Sequence, residues 1–475
     1  MTDEQQPVEV ILRSPQELSQ TVDSFSQGLV KYLNALGLPS ERVLVPVRER
    51  SVVLQNLPSV VDNIIDGLRK DSLYISKFVA ACGAGLFDAA LNFVWDETVL
   101  SLRRKVIQFD LEYFFNSVVT DPDRRRSFSA EKDLDNLDDW ELVRGCHLTG
   151  ILSDIGFRHL DYIRNMRNWA SAAHPYQNEL TGLQIVSWLE TCIREVIGKE
   201  PSASAIEIKR LLDNLRKNVL TAADAKPINA SILLLPPDLA TSLLRTIYGM
   251  YADPDVAVQT KNNIRLIAST VWNRAPDLAK QEAGVKYVNY SSNADIPRRD
   301  SAKEFLTLVN GLTFLPKDRL ALEVSESVAC LFQAHIGWNN FHNEPPHAKN
   351  LFRYIPENGD VPESSQYEYV KTVTMCFIGN GYGISSLAYP YYQAMIKRFR
   401  EKEIWTVANM VADSDISSRL QFHSCQRYFR KLIAELNQRI SNEVIKAVLI
   451  YILGQTEQQL PKCASTTEFI KLTGR

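Results

Sequence analysis

The sequence contains no CxxC pair, no Walker A, HExxH or GxSxG motif, and no apolar run of membrane length. Each absence excludes something. Without paired cysteines there is no zinc-ribbon or thioredoxin-like chemistry to look for. The seven cysteines, Cys82, Cys146, Cys192, Cys330, Cys376, Cys425 and Cys463, are scattered and odd in number, which reads as reduced thiols in a cytosol. The longest clear apolar run, Ala447 to Leu453, falls far short of the roughly 20 residues a membrane span needs. The start, Met1-Thr2-Asp3-Glu4-Gln5-Gln6-Pro7, is polar and acidic, the opposite of a secretory signal. A cytoplasmic protein with no membrane partner is the expectation. A net charge of -3 and a pI near 6.2 exclude a globally basic nucleic-acid coat, though not a local basic cleft.

At 475 residues, 45% of them apolar, the chain is too long for one core and too hydrophobic for wholesale disorder. Strand-like patterning is confined to the first segment and to Val43-Leu44-Val45-Pro46-Val47; nearly everything else carries the helical period. A helix opens at Ser14-Pro15-Gln16-Glu17 and stops near Gly37. An uninterrupted pattern from Leu86 through Trp95, Leu102, Val106, Phe109 and Tyr113 to Val118 predicts one helix of about 30 residues. Further helices are predicted between Leu137 and Ile197. Composition turns polar and proline-bearing over 201–237, which reads as a linker. Beyond Asp238, amphipathic helices alternate with Pro, Gly, Asn and Asp, as in an α-solenoid-like array. The predicted organisation is all-α: an N-terminal helical arm over 1–50, a helical domain over 51–200, the linker, and an array over 238–475.

One stretch carries chemistry: Arg164-Asn165-Met166-Arg167-Asn168-Trp169-Ala170-Ser171-Ala172-Ala173-His174-Pro175. On a helix, Leu160, Ile163, Met166, Ala170 and Ala173 gather on or near an apolar face. Arg164, Arg167, Asn168, Ser171 and His174 fall on the adjoining polar arc. Arg167 and His174 are two turns apart, roughly 10 Å along one line, and Pro175 sets His174 at the helix end. Histidine can take or give a proton near neutrality, and arginine offers phosphate a permanent forked charge. Such a pair suits RNA scission by the neighbouring ribose 2′-hydroxyl, a group DNA does not have.

The sequence Arg167-Asn168-x5-His174, with a long amphipathic helix upstream and another over Leu180–Ile197, resembles the HEPN superfamily of R-x4-6-H ribonucleases over roughly residues 86–197. The resemblance implies a four-helix bundle with Arg167, Asn168 and His174 as catalytic residues and Arg164 and Ser171 touching RNA. It implies an acidic residue on an earlier helix, Asp139 or Glu141. It further implies a homodimer, cleavage without metal or other cofactor, a 2′,3′-cyclic phosphate product, and a role as toxin or antiviral effector restrained by an antitoxin or trigger protein. The rival expectation is an inactive HEPN-type dimerisation or interaction protein, a scaffold or RNA-binding module.

Other features read as structural. His335, His342, His347 and Glu344 are spaced too loosely for a zinc site and read as a structured loop packing Trp338 and Phe341. Gly379-Asn380-Gly381-Tyr382-Gly383 has no lysine and reads as a turn. Arg124-Arg125-Arg126, flanked by acids, reads as a solvated loop. His147 and His159 bracket the motif helix and read as supporting or buried residues.

Overall fold

A computed structural model describes residues 15–64, 66–170, 180–200 and 203–474. The protein is all-α, with no strand among the described residues. No helix among them is long and apolar enough to cross a membrane. The chain forms two compact units, one comprising Met1–Met250 with Val256–Pro276, the other Tyr251–Asp255 with Asp277–Arg475.

The first unit is organised around the Phe87–Phe109 helix, which buries Phe87, Leu91, Val94, Trp95, Leu102, Val106 and Phe109. Leu73–Ala84, Asp139–Leu148, Asp154–Asn168 and Gly182–Cys192 all pack against it. The single long helix predicted through Val118 is instead broken at Asp110, whose backbone is extended at φ -165°. Its carboxylate accepts from the Tyr113 amide at 2.8 Å and restarts the chain as Leu111–Val118. A side chain able to cap outweighs an unbroken apolar period here. The Val43–Val47 stretch is not a strand either. Pro46 leads directly into the Val47–Val61 helix, and the Val45 amide bonds the Gly85 carbonyl at 2.9 Å.

The predicted N-terminal arm is part of this unit. Pro15–Ala35 packs on Val47–Val61, and Arg50 donates to Ser26 Oγ at 2.6 Å. The stretch read as a linker is also structured, with helices at Ala203–Lys217 and Ala222–Leu233. Ile208, Leu212 and Leu215 are buried, and the amide of buried Asn263 donates to the Leu215 and Asn218 carbonyls at 3.0 and 2.7 Å. That tie holds Val258–Arg274 to Ala203–Lys217, and Asn229 Nδ2 donates to the Leu266 carbonyl at 3.2 Å from Ala222–Leu233, so the unit runs to Pro276.

Close approach sets the packing of the Asp139–Leu148 helix. A Cβ on Gly145 would lie 2.3 Å from Val118 Cγ2 and 2.7 Å from the Phe114 ring. Gly145→Ala is therefore expected to cost about 1–3 kcal/mol by overpacking. Urea unfolding of the full chain checks this; an unchanged midpoint would contradict the packing described.

In the second unit, Glu363–Ile378 is a central helix. Lys317–Ile336, Tyr389–Lys397, Glu401–Asn409 and His423–Arg439 surround it, whereas a simple stack would give each helix only its chain neighbours. Buried Glu323 ties further helices together, accepting from Tyr354 Oη at 2.8 Å, Tyr287 Oη at 3.1 Å, Arg319 at 2.6 Å and Lys303 at 3.2 Å.

Candidate functional site

The motif helix spans Asp154–Asn168. Ser153 starts it by accepting from the Gly156 amide at 3.1 Å, and Leu160 and Ile163 anchor its apolar face in the first unit's core. Met166 and Ala170 are half-buried. After Asn168 the backbone widens into a π-type turn at Trp169 and Ala170. Ala173, Ser171 and His174 lie outside the described residues.

Arg167 reaches Asp139, at the start of Asp139–Leu148, through a short Nη2 contact. Its guanidinium lies 5.5 Å from the Trp95 ring centroid, and Trp95 Nε1 donates to the same Asp139 oxygen at 2.8 Å. Three helices thus fix this arginine. The side chain keeps 21% of its exposure and Asp139 keeps 33%, so the pair lines the surface rather than the core. No acceptor among the described residues is bonded to Nη1, and Nε is buried without a partner.

Between the two acids considered from sequence, the structure distinguishes clearly. Asp139 touches Arg167, while Glu141 is engaged by both Nη atoms of Arg124 and closes a capping box with Asp138. Arg164 pairs with Asp161 at 2.8 Å on its own helix, and Asn168 is exposed. Arg125 is pinned by Asn116 Oδ1 at 2.9 Å and by the Phe128 carbonyl, and Arg126 pairs with Asp123 at 3.3 Å. His147 bonds Asp154 at 2.8 Å and stacks on Phe157, whereas the buried His159 Nδ1 has no partner among the described residues.

Sequence reasoning missed Asp96 and Trp95. Asp96 sits next to Trp95 on the central helix, and its charge is felt by Arg167 and Asp139. Burial pushes its carboxyl above the ordinary range; Arg167 opposes that and Asp139 adds to it. The only signal in the sequence was an acidic pair, Asp96-Glu97, inside an otherwise apolar helical stretch.

The raised pKa has a sign that can be worked out. The folded state holds the Asp96 proton more tightly than the unfolded chain does, so its contribution is full in acid and is lost as pH rises through the folded pKa. Asp96→Asn removes that loss. The variant is expected to gain on the wild type as pH rises from acid to neutral. Melting curves across that range check it, and a difference that stays flat with pH would contradict it.

In the second unit, His335, Glu344 and Cys376 place potential metal-ligand atoms within 4.8 Å of one another, all buried. Arg419 Nη1 faces His335 Nε2 at 2.8 Å. Arginine can only donate, so Nε2 accepts, and His335 Nδ1 carries the proton it gives Glu344 at 2.8 Å. Asn340 and Tyr392 also donate to Glu344, at 3.0 and 2.7 Å. Both ring nitrogens are thus engaged beside a permanent cation, and this chemistry is that of a closed hydrogen-bond network. The loop predicted here is a helix, Asn340–Phe352, and Trp338 is 94% exposed rather than packed.

No family model, curated protein or solved structure matches the chain.

Proposed function

We propose that the protein is a metal-independent endoribonuclease of the type the Arg167-Asn168-x5-His174 spacing resembles. The observation that carries this reading is the fixing of Arg167 at the surface by Asp139 and Trp95, with no acceptor among the described residues bonded to its Nη1. A guanidinium held by a carboxylate and an indole ring is pre-oriented, so phosphate binding costs it little freedom.

In the proposed reaction, His174 takes the ribose 2′-hydroxyl proton. The 2′-oxygen attacks the adjacent phosphorus, and the bond to the 5′-oxygen of the next nucleotide breaks. The products are a 2′,3′-cyclic phosphate and a 5′-hydroxyl, the leaving oxygen taking up a proton. Arg167 stabilises the charge gathered on the phosphoryl oxygens, while Asn168, Arg164 and Ser171 position the strand. A two-fold homodimer brings two such motifs to one cleft, and an antitoxin or trigger protein restrains a cytoplasmic toxin or antiviral effector.

A second reading has its own observation. Arg167 and Arg164 are each paired with a carboxylate, Asp139 and Asp161, as in a purely structural helix contact. On that reading the chain is an inactive HEPN-type interaction module. Expression of the wild type beside His174→Ala in a bacterial host, with total RNA run on a gel, separates the two. Degradation confined to the wild type supports the nuclease, and intact RNA in both supports the module.

A further inference from the structure

Two aromatic side chains on the second unit stand almost fully in water, Trp338 at 94% exposure and Tyr382 at 93%. A single exposed ring is ordinary on a folded surface, but rings gathered with cations can serve as a recognition surface. Neither sits on a slack loop. Trp338 precedes Asn339, whose φ of 57° is left-handed, and the Trp338 carbonyl accepts from Asn343 Nδ2 at 3.0 Å. Tyr382 rides the Gly379–Gly383 turn, where a Cβ on Gly379 would come within 2.2 Å of the Gly383 carbonyl. Arg419 holds the Gly379 carbonyl, and Ser424 Oγ holds the Gly381 carbonyl at 2.9 Å.

The segments that carry the two rings touch. Phe341, three residues after Trp338, packs at Gly383, and its carbonyl accepts from Ser385 Oγ at 2.6 Å. Beneath them, the His335–Glu344–Arg419 network connects both segments. Phe422, half-exposed, lies against Gly381 and leads into the His423–Arg439 helix. That helix sets His423, Arg427 and Lys431 on one line at steps of about 6 Å. Arg427 lies 5.2 Å from the Tyr428 ring centroid, and Lys431 lies 5.5 Å from that of Tyr389. Acidic groups touch the line at Glu457, 3.2 Å from His423, and at Glu435, near Lys431.

We propose that this face of the second unit binds single-stranded RNA, bases stacking on Trp338 and Tyr382 and phosphates meeting Arg427 and Lys431. Exposed rings beside a line of cations are what a strand with splayed bases needs, because every base has a π-face and every linkage a charge. A duplex hides those faces. A protein partner would be better met by a continuous apolar patch, from which lysine is usually depleted. The inference deepens the ribonuclease reading by naming a surface that grips RNA, yet it concerns residues outside the motif.

The test uses the full chain and a fluorescein-labelled, single-stranded 2′-O-methyl RNA, which has no free 2′-hydroxyl and reads binding whether or not the protein cleaves. Anisotropy is expected to show binding that weakens about 10-fold or more in Trp338→Ala/Tyr382→Ala. In Arg427→Glu/Lys431→Glu, affinity should fall at low salt and its salt dependence should flatten. Unshifted melting curves show that both variants are folded. No binding by the wild type, or affinity unchanged in both variants, overturns the proposal. So does an equal preference for duplex. Loss of self-association with RNA affinity intact would assign the face to protein and likewise overturn it. None of these outcomes bears on cleavage, which Arg167 and His174 variants test separately.

Discussion

Replacing His174 or Arg167 by alanine is expected to lower the rate of RNA cleavage by about 10²–10⁴ each, with the fold retained. The two losses have different origins. In the proposed mechanism, His174→Ala removes the group that moves the 2′-hydroxyl proton, and Arg167→Ala removes the fixed charge facing the phosphate. Arg167→Lys keeps a charge but loses the planar fork held between Asp139 and Trp95, so it should recover only part of the rate. Asp139→Asn tests the same geometry from the other side. It keeps an acceptor for Trp95 Nε1 but releases Arg167 from its counter-charge, and should change substrate affinity more than it changes stability. Single-turnover kinetics on a labelled RNA separates these effects. Full activity in either alanine variant would remove that residue from the mechanism.

The largest stability effect is expected at Glu344. This carboxylate, 1% exposed, accepts from His335, Asn340 and Tyr392. Through His335 it faces the Arg419 guanidinium. Glu344→Ala would strand three buried donors and remove one of the acidic charges Arg419 feels, Asp415 supplying another. Removing one partner of a buried pair costs about 3–5 kcal/mol. Urea unfolding of the full chain should show a loss of that size. Glu344→Gln keeps the shape and part of the hydrogen bonding, and should lie between it and the wild type. A loss below about 1 kcal/mol in the alanine variant would mean that the network does not hold this part of the fold together.

How much of this was legible in the sequence depends on what each residue competes with. Helices with a clean apolar period were readable: Lys317–Ile336, Glu363–Ile378 and Glu443–Leu453 all lie in the stretch beyond Asp238 predicted to be helical. The Asn340–Phe352 helix was not, because Pro345 and Pro346 advertise a loop. The structure shows how one of them is tolerated. Pro345 cannot donate to the Phe341 carbonyl four residues back, and Ser385 Oγ takes that acceptor instead. The compensating group lies 44 positions away, where no local pattern reveals it. Pro227 inside Ala222–Leu233 made the same impression of a linker. Asp110 failed in the opposite direction, since hydrophobic periodicity does not register a capping carboxylate that restarts the helix.

The candidate site divides in the same way. Arg167 could be proposed from spacing and an acidic partner from the family resemblance, and of the two acids considered it is Asp139 that Arg167 touches. Trp95 and Asp96 could not, because their approach to Arg167 depends on helix packing across some 70 positions of chain. The exposure of Trp338 was misread for a related reason. A tryptophan is presumed to be buried from composition alone, whereas Trp338, next to the left-handed Asn339, stands 94% exposed.

Attack by the ribose 2′-hydroxyl leaves its signature in the ends of the cleaved RNA. Purified full-length protein should be incubated with a defined single-stranded RNA in excess EDTA, and the products weighed by mass spectrometry. The proposed chemistry requires 2′,3′-cyclic phosphate and 5′-hydroxyl ends, formed at the same rate with and without chelator and not formed by the His174→Ala protein. Ends carrying a 3′-hydroxyl and a 5′-phosphate, or activity that chelation abolishes and added metal restores, would contradict it.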